Sequence, residues 1–461
     1  MTLDEYLASI RHLRIAVVGA GVSNTPLIER LLAGGCHVTV CDRRSADQME
    51  GAAERLLSLG AELQLGETYL EGLDHDIIFR TPGLMPFDPH LEEAKERGSV
   101  ITSEMEVFFA LCPCPVIAVT GSDGKTTTTT IISELLKAAG YRVHLGGNIG
   151  HPLLCEVPEI RPEDVAVLEL SSFQLHSMVC RPHVAVITNL RPNHLDKHKD
   201  FQDYIDAKRS ILERQAPEDR LVLNRGDAHS GYYASFSHAQ VCWFSDTAPV
   251  KDGAMLENGR IYRVKGAQKQ FIMDAGEIRI PGEHNVQNFL AAFAATDGLV
   301  PAEICREVAM SFAGVEHRLE LVCELRGVRY INDSIASSPT RTIAGLRALK
   351  TKPIVIVGGY DKHIPFDGLG DELCRLAKRV VLTGATADLI DRAIQTSPLY
   401  EESGLTVLHE DDFKNAVLAA SAAAEAGDIV LLSPACASFD RFKDFAERGE
   451  TFKQIVRELT E

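Results

Sequence analysis

The stretch Gly121-Ser122-Asp123-Gly124-Lys125-Thr126 holds the residues of this sequence best suited to do chemistry. A phosphate group needs backbone N–H groups close by, which glycines permit because they carry no Cβ. It gains further from the positive end of a helix and from a lysine long enough to reach its outer oxygens. The preceding PVIAVT reads as a buried strand and the following TTTTIISELL as a helix, so the motif sits at a predicted strand–loop–helix junction, the context that gives such a loop its meaning. Thr126 is then placed for its hydroxyl to meet a magnesium ion. The usual loop has a further glycine where this chain has Val119. A plain glycine turn with a surface lysine is the alternative, and the flanking strand and helix argue against it.

Other candidates depend on where the elements place them. Glu169 ends the apolar run VAVLEL, and an acid at the carboxyl end of a parallel strand faces a ligand crevice. A helix-start acid is the competing reading. His194-Leu-Asp-Lys-His198 has metal-ligand spacing, but only His194 directly follows a predicted strand, VAVITNL. In FQDYIDAKRSILERQ, Lys208 falls on the apolar stripe of Phe201, Tyr204, Ile205, Ile211 and Leu212, whereas Arg209 faces outward. A lysine there must snorkel, pair with an anion or be chemically modified. Gly19-Ala-Gly21-Val-Ser-Asn24 lacks the third glycine of a dinucleotide fingerprint. With Asp42, Arg43 and Arg44 after the next strand, it suits a diphosphate and ribose better than a nicotinamide cofactor.

The elements that must position these residues follow an α/β rhythm in three segments. Leu13–Gly21, a helical stretch to Gly35 and His37–Asp42 form a βαβ unit, and Asp76–Gly83 adds a strand to the same parallel sheet. After Pro113 and Pro115 come the phosphate-loop strand, Val165–Ser172 and Val184–Leu190, with an antiparallel edge extension predicted around Val241–Ile280. After Gly314, the runs Pro353–Gly359, Arg379–Gly384 and Asp428–Pro434 predict another doubly wound sheet. The fold class is therefore α/β: an N-terminal Rossmann-like domain over 1–103, a central P-loop-type ATPase-like sheet over 104–314 and a C-terminal Rossmann-like domain over 315–461. A length of 461 residues agrees with about three cores.

Composition narrows the function. A formal net charge of −18 argues against a nucleic-acid or anionic-membrane surface. No apolar run approaches the roughly 20 residues of a membrane helix, and acids precede the first apolar stretch without a cleavage-site pattern. A cytoplasmic location, small-molecule substrates and a monomer are expected. The 11 cysteines contain no Cys-x-x-Cys pair, and Cys112 and Cys114 merely flank Pro113, so buried thiols are preferred to disulfides or a zinc site.

Taken together the motifs resemble the Mur ligase family over almost the whole chain. The resemblance rests on VTGSDGKTT (Val119–Thr127), GGNIG (Gly146–Gly150), LELSSFQL (Leu168–Leu175), NHLDKH (Asn193–His198) and GEHNVQN (Gly282–Asn288). It continues through EHRLE (Glu316–Glu320), NDSIASSP (Asn332–Pro339), GGYDK (Gly358–Lys362) and LLSPACASFDRFKDFAERG (Leu431–Gly449). LELSSFQL and LSPACASFD look most like the family's D-glutamate-adding branch. The resemblance implies ATP-dependent joining of D-glutamate to UDP-N-acetylmuramoyl-L-alanine through an acyl phosphate, for cytoplasmic cell-wall peptidoglycan synthesis.

The resemblance also implies roles for individual residues. Gly121 to Thr127, including Ser122, Asp123 and Thr127, would hold ATP, with Lys125 and Thr126 on its phosphates and magnesium. Glu169 and His194 would bind metal, two ions in all. Lys208 matches a lysine that the family carries as a carbamate. Asn285 and Asn288 would lie near the adenine, and His317, Arg318 and Asp333 would close over the nucleotide. Val22, Ser23, Asp42, Arg43, Arg44, Gly83, Asn148 and Ser171 would face the UDP-sugar substrate. Ser337, Lys362, Ser438 and Phe445 would hold the amino acid. The family stretch often reads Asn-Asp-Ser-Lys-Ala-Thr, so Ile335 removes a cation here while Ser337 keeps a hydroxyl. Rival readings are a folate polyglutamate synthase, which LELSSFQL and the first glycine motif oppose, a nucleotide-driven switch or motor without ligase activity, and a nicotinamide oxidoreductase.

Overall fold

Short apolar runs rich in valine and isoleucine, each closed by glycine or a polar residue, build three sheets. Strands buried on both faces need no polar alternation, and IAVV, VIAVT, VAVLE, IVIV and IVLL show none. A computed structural model of the chain describes all residues except Val22, Ser23, Glu50, 193–196, Pro281, 362–364, Thr460 and Glu461, and only the backbone of Asp367. The chain divides into two compact units, Met1–Phe312 and Ala313–Glu461.

The first unit contains two sheets. One has five parallel strands in the order Glu62–Leu65, His37–Asp42, Arg14–Val18, Ile77–Phe79 and Val100–Thr102. The other has nine, with Val116–Thr120 lying between Val165–Glu169 and Val184–Ile187. Beyond them lie Val143–Gly147 on one side and Arg220–Asn224 on the other. The extension predicted as antiparallel differs in its first half. Gln240–Ser245 and Asp252–Glu257 both join in parallel, and only Arg260–Lys265 and Gln268–Asp274 run antiparallel. Gly253 permits that parallel pairing, since its φ is 126° and a Cβ there would lie 1.9 Å from the Trp243 carbonyl oxygen.

The two sheets share one continuous apolar cluster, in which Ile15, Val17 and Phe108 belong with Leu154, Ala118 and Leu168. Arg80 joins them a second time. Its buried guanidinium, on the loop after Ile77–Phe79, donates to the Phe173 carbonyl at 3.1 Å and to Ser177 Oγ at 2.9 Å.

The second unit carries six strands in the order Glu320–Leu325, Val328–Asn332, Ile429–Leu432, Ile354–Val357, Arg379–Leu382 and Thr406–His409. All but the first pair are parallel, with an apolar cluster on each face. Among the described residues no helix is long and apolar enough to cross a membrane.

Glu104 is buried where helix Glu104–Leu111 meets the turn Leu154–Glu159, and it accepts the Leu154 N–H at 2.8 Å. Burial pushes its carboxyl up to about 7, against the opposing pull of the Leu154 and Leu153 N–H groups. The folded chain therefore holds a proton here that the unfolded chain releases near pH 4.5, so stability declines as pH rises from that value to about 7 and then levels off. The decline is at most about 3 kcal/mol. Glu104→Gln keeps an acceptor for Leu154 and removes the buried charge. In urea unfolding it should match or exceed the parent above pH 7 and lose this pH dependence. A variant weaker than the parent by more than about 1 kcal/mol at pH 8 would show that the charge itself stabilises the fold.

Candidate active site

Strand Val116–Thr120 is buried along its length and runs through Gly121 and Gly124 into helix Lys125–Ala138. Both glycines are sterically required. Gly121 has φ 143°, and a Cβ on it would lie 1.9 Å from Thr188 Oγ1. Gly124 has φ 77°, and a Cβ there would lie 2.4 Å from Asn288 Oδ1. The loop is also fixed by the neighbouring strand's end: Ser122 N–H donates to the Asn189 carbonyl at 2.8 Å and Asp123 N–H to Asn189 Oδ1 at 2.9 Å. Ser122 Oγ meets the Arg191 carbonyl and Tyr204 Oη, each at 2.9 Å.

Lys125 Nζ donates to the Gly121 and Ser122 carbonyls at 3.0 and 2.8 Å, folding the amine back over the loop's inner face. Thr126 Oγ1 donates to Glu169 Oε2 at 2.7 Å, and Asn148 Nδ2 donates to Glu169 Oε1 at 2.8 Å. Asn148, expected to face the sugar substrate, has its side-chain amide joined to the carboxylate beside the phosphate loop. The reason is local: strand Val143–Gly147 pairs with Val165–Glu169, and the Asn148 N–H also donates to the Glu169 carbonyl at 2.8 Å. Ser171, two residues beyond Glu169, caps helix Ser172–Leu175 by accepting from Gln174 N–H. Asn288 accepts from Thr128 Oγ1 at 3.2 Å and donates to Asn285 Oδ1 at 3.2 Å, so helix Glu283–Ala295 sets Asn288 against Gly124 and the first turns of helix Lys125–Ala138, with Asn285 bonded to it.

Lys208 does not snorkel. It is 1% exposed, lies 4.5 Å from the centroid of the Tyr204 ring, and donates to the Gly121 carbonyl at 3.0 Å and to Thr120 Oγ1 at 3.2 Å. Burial, reinforced by the Lys125 charge and opposed by Glu169, holds its amine well below the usual lysine range.

On the first sheet, Asp42 accepts from Ala20 N–H at 2.8 Å and from the Arg44 guanidinium at 2.9 Å. Burial raises its carboxyl, but the Arg44 and Ala20 hydrogen bonds prevail and hold it below the usual range. Arg43 and Gly83 are exposed. Val22, Ser23, His194 and Lys362 lie outside the described residues.

The second unit gathers its candidates at the carboxyl ends of its strands. Asp333 is buried and accepts from Ser433 Oγ at 2.8 Å and from Leu319 N–H at 3.2 Å. Burial pushes its carboxyl up to about 6, against those hydrogen bonds and the charges of Arg318 and Arg341. His317 is buried with φ 60°, while Arg318 is exposed. Ser438 is buried, Ser337 half-buried and Phe445 exposed at the start of helix Phe445–Glu458.

Sequence reasoning missed two residues that hold these pieces together. Arg448, 2% exposed, donates to Ser334 Oγ and to the Ser334, Ala437 and Cys436 carbonyls, each at 3.0 Å. It thereby staples NDSIAS to SPACAS. Its position on the core-facing side of a helix beside Gly449 and Phe452 was the available signal. His198 is the other. It meets Ser172 Oγ at 2.9 Å and Asp203 Oδ2 at 2.8 Å, coupling the helix that carries Lys208 to the helix after Glu169. No local pattern marks that pairing.

Residues 119–296 match the Mur ligase middle domain, and residues 317–436 match the Mur ligase, glutamate ligase domain. The chain is 47% identical over 460 residues to the UDP-N-acetylmuramoylalanine–D-glutamate ligase of Acetivibrio thermocellus, covering 99% of each chain. Among solved structures it resembles the UDP-N-acetylmuramate–alanine ligase of Thermotoga maritima, with a TM-score of 0.55 and 18% identity over 97% of this chain and 100% of that one. It also resembles the Thermotoga maritima MurF ligase in complex with ADP, with a TM-score of 0.51 and 17% identity over 97% and 96%. A phosphate loop of this build and a near-full-length match make the chain a member of the Mur ligase family.

Lys125→Ala should weaken binding of ADP and ATP by at least about tenfold, ~1.4 kcal/mol, in calorimetric titration. The melting temperature should stay near that of the parent, because the hydrogen bonds to the Gly121 and Ser122 carbonyls lie within the loop itself. Unchanged nucleotide affinity would remove the phosphate role from this loop.

Proposed function

We propose that this chain is an ATP-dependent ligase that joins D-glutamate to UDP-N-acetylmuramoyl-L-alanine, forming ADP and phosphate, in the cytoplasmic assembly of peptidoglycan precursors. The observation that carries this is the loop Gly121–Thr126 with Lys125, Glu169 and Lys208 gathered around it, in a chain nearly half identical to a ligase of that name. The reading includes domains over 1–103, 104–314 and 315–461 and a monomer.

The alanyl carboxylate attacks the γ-phosphorus of ATP; an O–P bond forms as the bond to the β-phosphate oxygen breaks and ADP leaves. The unprotonated amine of D-glutamate then attacks the acyl carbon; the C–N bond forms, the nitrogen gives up one proton, and phosphate departs with the C–O electron pair and carries that proton away. Both steps bring anions together, so the protein's task is to align and neutralise charge. Lys125 does this by moving its amine from the loop carbonyls to the phosphates. Asn285 and Asn288 border the adenine; His317, Arg318 and Asp333 serve the nucleotide. Asp42, Arg43 and Arg44 serve the diphosphate and uridine, with Ser171 and Asn148 toward the sugar peptide. Ser337, Lys362, Ser438 and Phe445 hold D-glutamate.

Thr126 Oγ1 and Glu169 Oε2 fit magnesium, a hard cation that takes one or two protein oxygens and fills its shell with phosphate and water. When bound, it spreads the charge developing on the phosphoryl oxygens. The reading adds a second magnesium ion, His194 as a ligand and Lys208 as a carbamate. A buried amine driven toward its neutral form adds to carbon dioxide, forming an N–C bond and releasing a proton, and so becomes an anionic ligand.

Phosphate release from ATP should require both UDP-N-acetylmuramoyl-L-alanine and D-glutamate, with L-glutamate, D-aspartate and meso-diaminopimelate poor replacements; preference for another amino acid would retain the family and overturn the substrate. Lys208→Ala should fall at least about a hundredfold in kcat, ~2.7 kcal/mol, and recover part of it when a small carboxylic acid is added. Failure of rescue together with a bare amine in a crystal equilibrated with carbon dioxide would exclude the carbamate.

A further inference from the structure

His317 stands in the left-handed region, with φ 60°, and is seated by contacts that reach it from two other elements of the second unit. Its backbone N–H donates to Glu320 Oε2 at 2.8 Å. Its ring meets Asn332, at the end of strand Val328–Asn332, through Nδ1 at 3.0 Å. Gly449 makes room for that meeting, since a Cβ there would lie 2.3 Å from His317 Nδ1.

The orientation of the Asn332 amide follows from its neighbours. One end faces the Ser334 N–H at 3.1 Å, which can only donate, so that end is the oxygen. The other faces two acceptors, Glu320 Oε2 at 3.0 Å and the Gly449 carbonyl at 3.5 Å, as well as the ring nitrogen. A flipped amide would set oxygen against oxygen twice and lose the Ser334 bond. The atom facing His317 Nδ1 is therefore an N–H donor, and Nδ1 must offer its lone pair.

We propose that Asn332 is a positioning residue that fixes His317 as the tautomer protonated on Nε2, so that the ring presents a hydrogen-bond donor to an anionic oxygen of the bound nucleotide. The nucleotide half rests on the function proposed above; the tautomer half does not. A neutral imidazole has one proton, and an acceptor Nδ1 assigns it to Nε2. Among the described residues Nε2 makes no hydrogen bond, and Glu450 Oε1 lies 3.8 Å away, beyond bonding distance. The carboxylates around the ring are already engaged. Glu316, on its own segment, Glu320, on the following strand, and Glu450, on helix Phe445–Glu458, all converge on the buried Lys453 ammonium at 2.6, 3.3 and 2.5 Å. Phe445 closes one side of the ring at 6.0 Å between centroids. The Nε2–H is left for a ligand.

The test is nitrogen NMR of the full chain labelled at its histidine ring nitrogens, with the His317 signals assigned by difference from His317→Gln and read at alkaline pH where they no longer move. The expected spectrum has an unprotonated-type shift at Nδ1 and a protonated-type shift at Nε2; the reverse overturns the proposal and leaves the ligase reading intact. Asn332→Asp, nearly isosteric, replaces the donor with acceptors and should draw the proton to Nδ1. It should raise the KM for ATP at least tenfold, with a smaller change in kcat. A changed tautomer with an unchanged KM for ATP overturns the nucleotide half. If Asn332→Asp fails to fold, the parent's spectrum still decides the tautomer, and comparing His317→Gln, which retains a donor, with His317→Phe decides the rest. Equal KM values for ATP in those two variants overturn the donor role. A parent without any ligase activity would sink the proposed function but not the tautomer.

Discussion

Two lysine amines donate to one carbonyl oxygen, that of Gly121, each at 3.0 Å. Much of the active site can be understood from this arrangement. Burial does most to disfavour the charge on Lys208, and the like charge of Lys125 adds to it. An ammonium without water or a paired carboxylate is costly, so the site favours its neutral form or its conversion to something else. The surroundings serve this geometry. Thr120 and Gly121 receive the Lys208 amine, Tyr204 lies beside it, and the first turn of helix Lys125–Ala138 turns Thr126 toward Glu169. Thr120, Gly121 and Thr126 come from one strand end of the nine-stranded sheet, Glu169 from the end of its parallel neighbour, and Tyr204 and Lys208 from helix Phe201–Arg209.

The second unit also buries a cation against neutral acceptors. Among the described residues its organising cation, Arg448, has no carboxylate hydrogen-bonded to it. Burial pushes the guanidinium down to about 10, and its donors are consumed by carbonyls and one hydroxyl. An arginine used this way fixes backbone, because its planar fork demands acceptors at set angles. Lys453 nearby is surrounded by three glutamates and is held above the usual lysine range; burial works against that shift and the carboxylates overcome it. One cation shapes loops through neutral acceptors, and the other gathers acids that would otherwise repel.

The strands were readable in advance because a parallel strand buried on both faces leaves an unbroken apolar run. His37–Asp42 was anticipated residue for residue. The phosphate loop was legible for the same local reason; helical spacing put Lys208 on the apolar stripe but favoured a snorkelling amine, which the structure buries instead. What remained hidden depends on residues distant in sequence. Nothing near Gly124 announces that Asn288 fills the space of its missing side chain, and nothing near Ser172 announces His198. The staple by Arg448 joins segments more than a hundred residues apart, and the turn of Asn148 toward Glu169 depends on which strands become neighbours. The parallel course of Gln240–Ser245 and Asp252–Glu257 was hidden similarly, since alternation shows which face is buried but not the direction of the partner.

The apolar cluster shared by the first two sheets bears on how the chain comes apart. Leu154 and Val157 pack in that cluster with Leu3, Leu7, Leu27 and Phe108, so neither sheet closes its interior alone. A fragment ending after the first sheet would leave these side chains bare, with Arg80 deprived of its Phe173 and Ser177 acceptors. Residues 1–312 should therefore melt as one cooperative block, whereas Ala313–Glu461, with clusters on both faces of its own sheet, carries what a separate transition requires.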